Sequence, residues 1–105
     1  MYRESLEVNR DLGAKWAIAY LFEDIGVLAA MEGQSEQALQ LCGAATRLRE
    51  EIGSPRSPAE ADKLLNNISL AVAQLSPEEV DATEERGHEM SLDAAIAYAL
   101  EVAHL

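Results

Sequence analysis

Three Glu-Glu pairs (Glu50-Glu51, Glu78-Glu79, Glu84-Glu85), two histidines (His88, His104) and a single cysteine (Cys42) are side chains here whose types could do chemistry. Paired carboxylates act as acid and base when both converge on one substrate atom. Neighbours on a helix point about 100° apart, so these pairs read as solvated or capping groups. The histidines lie outside any HExxH arrangement or cysteine cluster, which leaves a metal site without local support. His88 reads as a loop residue and His104 as part of a frayed terminus. A nucleophilic Cys42 would need an exposed thiolate beside a cation or a helix N-terminus. It falls instead two turns into an expected helix, among Ala38, Leu41 and Ala45, and reads as core. Ser57, Ser76 and Ser91 sit where helices start, and no GxSxG elbow is present. The expectation is a chain with no catalytic residues, no metal and no cofactor.

Composition narrows the class. A length of 105 residues suits one domain spanning 1–105. Hydrophobic residues make up 49% but aromatics only 5%, the remainder coming largely from alanine and leucine, which favour helices. The formal net charge of −11 opposes attraction to nucleic acid or to an anionic membrane surface. Acidity is uneven, −4 over residues 1–53 (nine acidic, five basic) and −7 over 54–105 (ten acidic, three basic). A lone cysteine, no apolar run of about 20 residues and a polar start at MYRESLEVNR point to a cytoplasmic protein.

The elements that must position these residues follow from punctuation at Gly13, Gly33, Gly53 to Pro58, Ser76-Pro77 and Gly87 to Ser91. Six helical segments lie between: Tyr2 to Leu12, Lys15 to Met31, Ser35 to Ile52, one after Ser57, Pro77 to Arg86, and one after Ser91. Ser57-Pro58-Ala59-Glu60 and Ser76-Pro77-Glu78-Glu79 both match the capping box. Apolar positions run round much of the second segment, which makes it an inner helix. The third aligns Ala38, Leu41, Ala45, Leu48 and Ile52, leaves Arg47, Arg49, Glu50 and Glu51 outside that face, and reads as an outer helix. In the fourth, Ala61, Leu64, Leu65, Ile68, Ala71, Val72 and Leu75 form one stripe. The acidic Pro77 to Arg86 has few apolar anchors.

Small residues recur where the second and third segments would touch: Gly26, Ala29 and Ala30 on one, Ala38, Cys42 and Ala45 on the other. Such residues let two helix backbones approach closely. Tyr2 to Gly13 also aligns with Cys42 to Gly53 at a shift of forty residues, Leu12 over Ile52 and glycine closing both. Residues 1–13 then read as the outer helix of an incomplete hairpin, 14–53 as a central hairpin, and 54–105 as closing helices.

Phe22, Ile25, Gly26, Ala29, Gly33, Ala38, Cys42 and Ala45 stand in an order and spacing that resembles the tetratricopeptide signature. Phe22 takes the usual place of tryptophan, Ala29 that of tyrosine, Cys42 that of an aromatic residue. The wider string from Glu4 through Glu60, with GHEMSLDAAIAYALE after it, is similar to the C-terminal repeat region of large bacterial signalling ATPases and LuxR-type transcriptional regulators. This likeness implies an all-α, right-handed solenoid fragment of helical hairpins, whose inner helices contact a peptide or a neighbouring domain. No phosphate-binding GxxxxGK[ST] and no DNA-reading module is present, so no ATPase, cyclase or DNA-binding activity carries over.

On that reading Tyr20, Glu23, Val27, Ala30 and Met31 face a concave groove with Trp16 at its border, and the chain is a non-catalytic protein interaction module. Self-association is the alternative, pairing the first helix with the apolar side of Leu92 to Ala103 across a two-fold axis. A small-molecule bundle would need an enclosed pocket with convergent polar groups near Trp16 and Tyr20.

Overall fold

Three serines open three helices. Ser57 and Ser76 each accept the backbone N–H three residues on, from Glu60 and Glu79, whose carboxylates reach back to the serine N–H. Ser91 accepts from the Ala94 N–H. A computed structural model of the chain describes residues 2–103, and among them are α1 (Tyr2–Leu12), α2 (Lys15–Met31), α3 (Ser35–Glu51), α4 (Pro58–Asn67), α5 (Ser69–Ala73), α6 (Pro77–His88) and α7 (Leu92–Val102). The protein is all-α. No helix among the described residues is long and apolar enough to cross a membrane.

Seven helices replace the expected six because the segment after Ser57 breaks at Ile68. Asn66 and Asn67 are weak helix formers, and the Ser69 hydroxyl donates to the Asn66 carbonyl at 3.0 Å, giving the chain a local alternative to a continuous ladder. Gly87 does not punctuate either. It lies inside α6, which runs on to His88. At Gly33 the expected break is present: its φ of +81° ends α2 in the left-handed conformation that glycine adopts without a Cβ clash.

The larger correction concerns α3. Far from being an outer helix, it is the central one, packed on one side by α2 and on another by α6, with α5 and α7 against it as well. Its buried residues run nearly round its circumference, from Ala38, Leu41 and Ala45 to Leu39, Gly43 and Ala44. The α6 segment, which looked weakest in sequence, makes one of the closest approaches in the molecule. A Cβ placed on Gly87 would collide with the Gln40 carbonyl, and one on Gly43 with the Glu84 carbonyl. Two helix backbones touch there because neither carries a side chain at the crossing.

The α2–α3 contact is looser. Gly26 is buried against α3, and a Cβ there would stand 3.3 Å from the Ala38 carbonyl and 3.7 Å from the Cys42 sulfur. Phe22, Ile25, Ala29, Ala38, Cys42 and Ala45 are buried along this seam, joined by Leu6 from α1 and Ile18 from the start of α2. Helix α7 turns Ala95, Ile96, Ala99 and Val102 into the same core. The apolar side of Leu92 to Ala103, expected to pair with another copy, is thus largely occupied within the chain. The Cα radius of gyration, 12.6 Å, is close to the roughly 13 Å of a compact domain of this length.

These contacts set a graded expectation. Glycine to alanine inside a helix is worth about 1 kcal/mol in propensity, while forcing a methyl into rigid backbone costs about 1–3 kcal/mol or more. Gly87→Ala and Gly43→Ala should each lose about 2 kcal/mol or more of unfolding free energy by urea denaturation. Gly26→Ala, which needs only a small displacement, should stay within about 1 kcal/mol of the wild type.

Candidate functional site

Arg49 sits one turn beyond Ala45 and two beyond Cys42, on the seam that faces α2. It is buried, although its charge had placed it outside. Burial of a guanidinium is costly unless every donor finds a partner. Here Nε donates to Glu23 Oε2 at 2.8 Å, Nη2 to Glu23 Oε1 at 3.2 Å and Nη1 to the Ser54 carbonyl at 3.3 Å. Arg56, on the α3–α4 connection, donates from Nε to the same Glu23 Oε2 at 2.9 Å, from Nη1 to Thr46 Oγ1 at 2.8 Å and from Nη2 to the Cys42 carbonyl at 3.4 Å. Two guanidinium groups therefore clamp one carboxylate of α2 to α3 and to the chain that leads into α4.

The clamp extends outward through Tyr20. Its hydroxyl donates to Glu60 Oε2 at 2.9 Å, and the Arg49 guanidinium lies 4.9 Å from the centre of its ring, within cation–π range. Glu60 Oε2 also stands 3.6 Å from Arg49 Nη2. Hydrogen bonds from the Ser57 backbone N–H, then from the Tyr20 hydroxyl, hold the Glu60 carboxyl down at about 2. Tyr20, Glu23 and Val27 of α2 face Glu60, Lys63 and Leu64 of α4 across a cleft of about 190 Å³. Beside it Asp24 is pushed above its ordinary range, chiefly by partial burial and then by Glu23, with Lys63 opposing.

The six groove residues read from sequence thus separate. Trp16 and Tyr20 are 60% and 46% exposed, with rings edge to face at 6.4 Å between centroids, and Met31 is 75% exposed. Val27 is half-buried in the cleft wall. Glu23 also lines the cleft, but both its oxygens are engaged by Arg49 and Arg56. Ala30 is not a groove contact, because it is buried in the core. Arg49 and Arg56 are the residues that the sequence reading missed. Helical spacing alone put Arg49 in line with Ala38, Cys42 and Ala45; its charge argued the other way.

Several of the remaining chemical candidates are placed away from this cleft. His88 is helical, not in a loop, and its Nε2 lies 2.6 Å from Glu50 Oε1. Glu51 lies 3.3 Å from Lys15 and 3.5 Å from Arg47. His104 falls outside the described residues. Cys42 is buried, and burial pushes its thiol up to about 12, far from a reactive thiolate. Among the described residues no group of three or more His, Cys, Asp or Glu side chains is placed to hold a metal ion. Compared with known proteins, the chain matches no family model, no curated protein and no solved structure.

Removing one member of a buried ion pair strands the other, at a cost of about 3–5 kcal/mol. Glu23→Ala leaves two guanidinium groups without their carboxylate and should lose about 3 kcal/mol or more in urea denaturation. Combining it with Arg49→Met should cost less than the two changes summed, since the second removes a stranded charge.

Glu60 predicts a pH dependence. Its folded value lies below its ordinary 4.5, so its contribution is complete above that pH and is lost as pH falls toward about 2. Urea midpoints measured across this window should fall less steeply for Glu60→Gln than for the wild type.

Proposed function

We propose that the chain is a non-catalytic protein interaction module that docks a peptide segment or a neighbouring domain on the outward side of α2. The observation that carries this reading is the pair Trp16 and Tyr20, stacked edge to face yet open to solvent on a rigid helix. Tryptophan and tyrosine join a large apolar body to one polar handle and dominate the energetics of many interfaces. Met31, about three turns beyond Tyr20 on the same helix, adds a flexible apolar contact. Tyr20 is held in place from beneath by Glu60 and Arg49, so the surface is ordered before any partner arrives, which lowers the cost of binding.

The close α2–α3 hairpin, with Gly26 against Ala38, supports a tetratricopeptide-like arrangement. In that setting the chain would be a solenoid segment of a cytoplasmic bacterial regulatory or signalling protein, relaying or restraining the activity of a domain beside it. A net charge of −11 favours a basic partner surface and disfavours nucleic acid and anionic lipid.

Panning a random peptide library on the wild-type chain provides the test. Selected peptides should bind Trp16→Ala at least about tenfold more weakly, a loss of about 1.4 kcal/mol. Met31→Ala should weaken them less, and both variants should melt within a few degrees of the wild type. Peptides that bind Trp16→Ala as tightly as the wild type would remove this face from the proposal, and unfolding of Trp16→Ala would show the indole to be structural.

A further inference from the structure

On a different face, α3, the broken α4–α5 segment and α6 enclose a groove of about 310 Å³. Leu39 forms part of its floor, and Leu64, Leu65 and Val72 face Val80 and Glu84 across it. The groove exists because α4 does not complete its packing. Its apolar stripe is regular, yet none of its residues is buried, and Leu65 remains 56% exposed. Burial resumes only at Ile68, past the end of that helix. Apolar walls on both sides of an unfilled gap call for an apolar occupant.

Charge sets the rest of the occupant's chemistry. Glu84 is half-buried at the groove, and among the described residues no hydrogen bond reaches its carboxylate. Burial, and then the Asp81 charge, raise its pKa, while Arg56 opposes them. Arg56 also borders the groove, but all three of its guanidinium nitrogens already have acceptors, on Glu23, Thr46 and Cys42. The groove therefore offers a carboxylate in want of a donor, while Arg56, the cation at its border, is already turned toward Glu23, Thr46 and the Cys42 carbonyl.

We propose that this groove binds a small apolar amine, its hydrocarbon body lying between Leu64, Leu65 and Val80 and its ammonium group donating to the Glu84 carboxylate. An alkyl amine keeps its charge at neutral pH, as lysine does, and its ammonium supplies three donors. The volume, at the lower end of ligand sites, suits a molecule of about ten non-hydrogen atoms. A fatty acid of the same length would set its carboxylate against Glu84 and is rejected.

Titration of the isotopically labelled full chain with n-octylamine, n-octanol and n-octanoate, followed through backbone amide resonances, tests the assignment. Octylamine should shift residues 61–72 and 80–84 saturably and bind at least about tenfold more tightly than octanol, while octanoate leaves the spectrum unchanged. Glu84→Gln should bring octylamine down to the affinity of octanol. Leu65→Lys, at an exposed position, should abolish octylamine binding by placing a competing ammonium at the groove while preserving the fold. Trp16→Ala should leave octylamine binding intact, which separates this site from the α2 face. Equal affinities for octylamine and octanol, octylamine affinity unchanged in Glu84→Gln, shifts confined to α2, or binding of a leucine-lysine helical peptide but not of octylamine would each overturn the proposal.

Discussion

The molecule depends on how closely other helices can approach α3. A helix buried nearly all round must receive neighbours on several sides at once, and a side chain at each crossing would hold them apart. Gly43 and Gly87 remove that obstacle at the α6 crossing, where backbone meets backbone. Gly26 does so at the α2 crossing, where a Cβ would stand 3.3 Å from the Ala38 carbonyl and need a small displacement. Because α6 takes its place deep against α3, the α4–α5 segment is left on the periphery, tied by Ile68 and Ala71 and by the Glu60 contacts rather than by a buried stripe.

That arrangement gives the Arg49–Glu23–Arg56 cluster its structural role. Apolar packing holds α2 on α3 but says little about where the chain beyond Gly53 should turn. Two guanidinium groups converging on one carboxylate are directional: Arg49 reads the Ser54 carbonyl, and Arg56 reads Thr46 and the Cys42 carbonyl. The path into α4 is thereby fixed, and Tyr20 is fixed with it through Glu60. A polar network with its donors matched is compatible with burial in a way that a single unmatched charge is not.

The two surfaces proposed for binding have a common origin in this geometry. On α2, core packing takes Phe22, Ile25 and Ala29 inward and the ion cluster takes Glu23, which leaves Trp16, Tyr20 and Met31 facing water. On the other side, the peripheral position of α4 leaves its leucines beside a gap, with Glu84 of α6 at its wall. One face presents aromatic bulk on a rigid rod, the other an apolar trough with a carboxylate. Their shapes and charges suit different occupants.

Local rules written in consecutive residues determined much of this protein by themselves. Capping boxes at Ser57 and Ser76 announce their helices, Gly33 closes a hairpin, and the small residues at Gly26, Ala38, Cys42 and Ala45 place α2 against α3, because each of these signals acts within a few turns of helix. The tertiary structure alone decided which helix is central. Gly87 reads in sequence as a stop signal and becomes a contact only when Gly43 is brought opposite it. Arg49 carries a charge that implies solvent, and burial becomes tolerable only once Glu23, 26 residues away, supplies the counter-charge. The same holds for the candidate sites: Trp16 and Tyr20 were legible as amphipathic side chains on one helix face, while the groove at Glu84 could not be, since it is a space between segments that the fold brings together. Periodicity and capping are properties of one helix, whereas burial, pairing of charges and unfilled volume are properties of several helices at once.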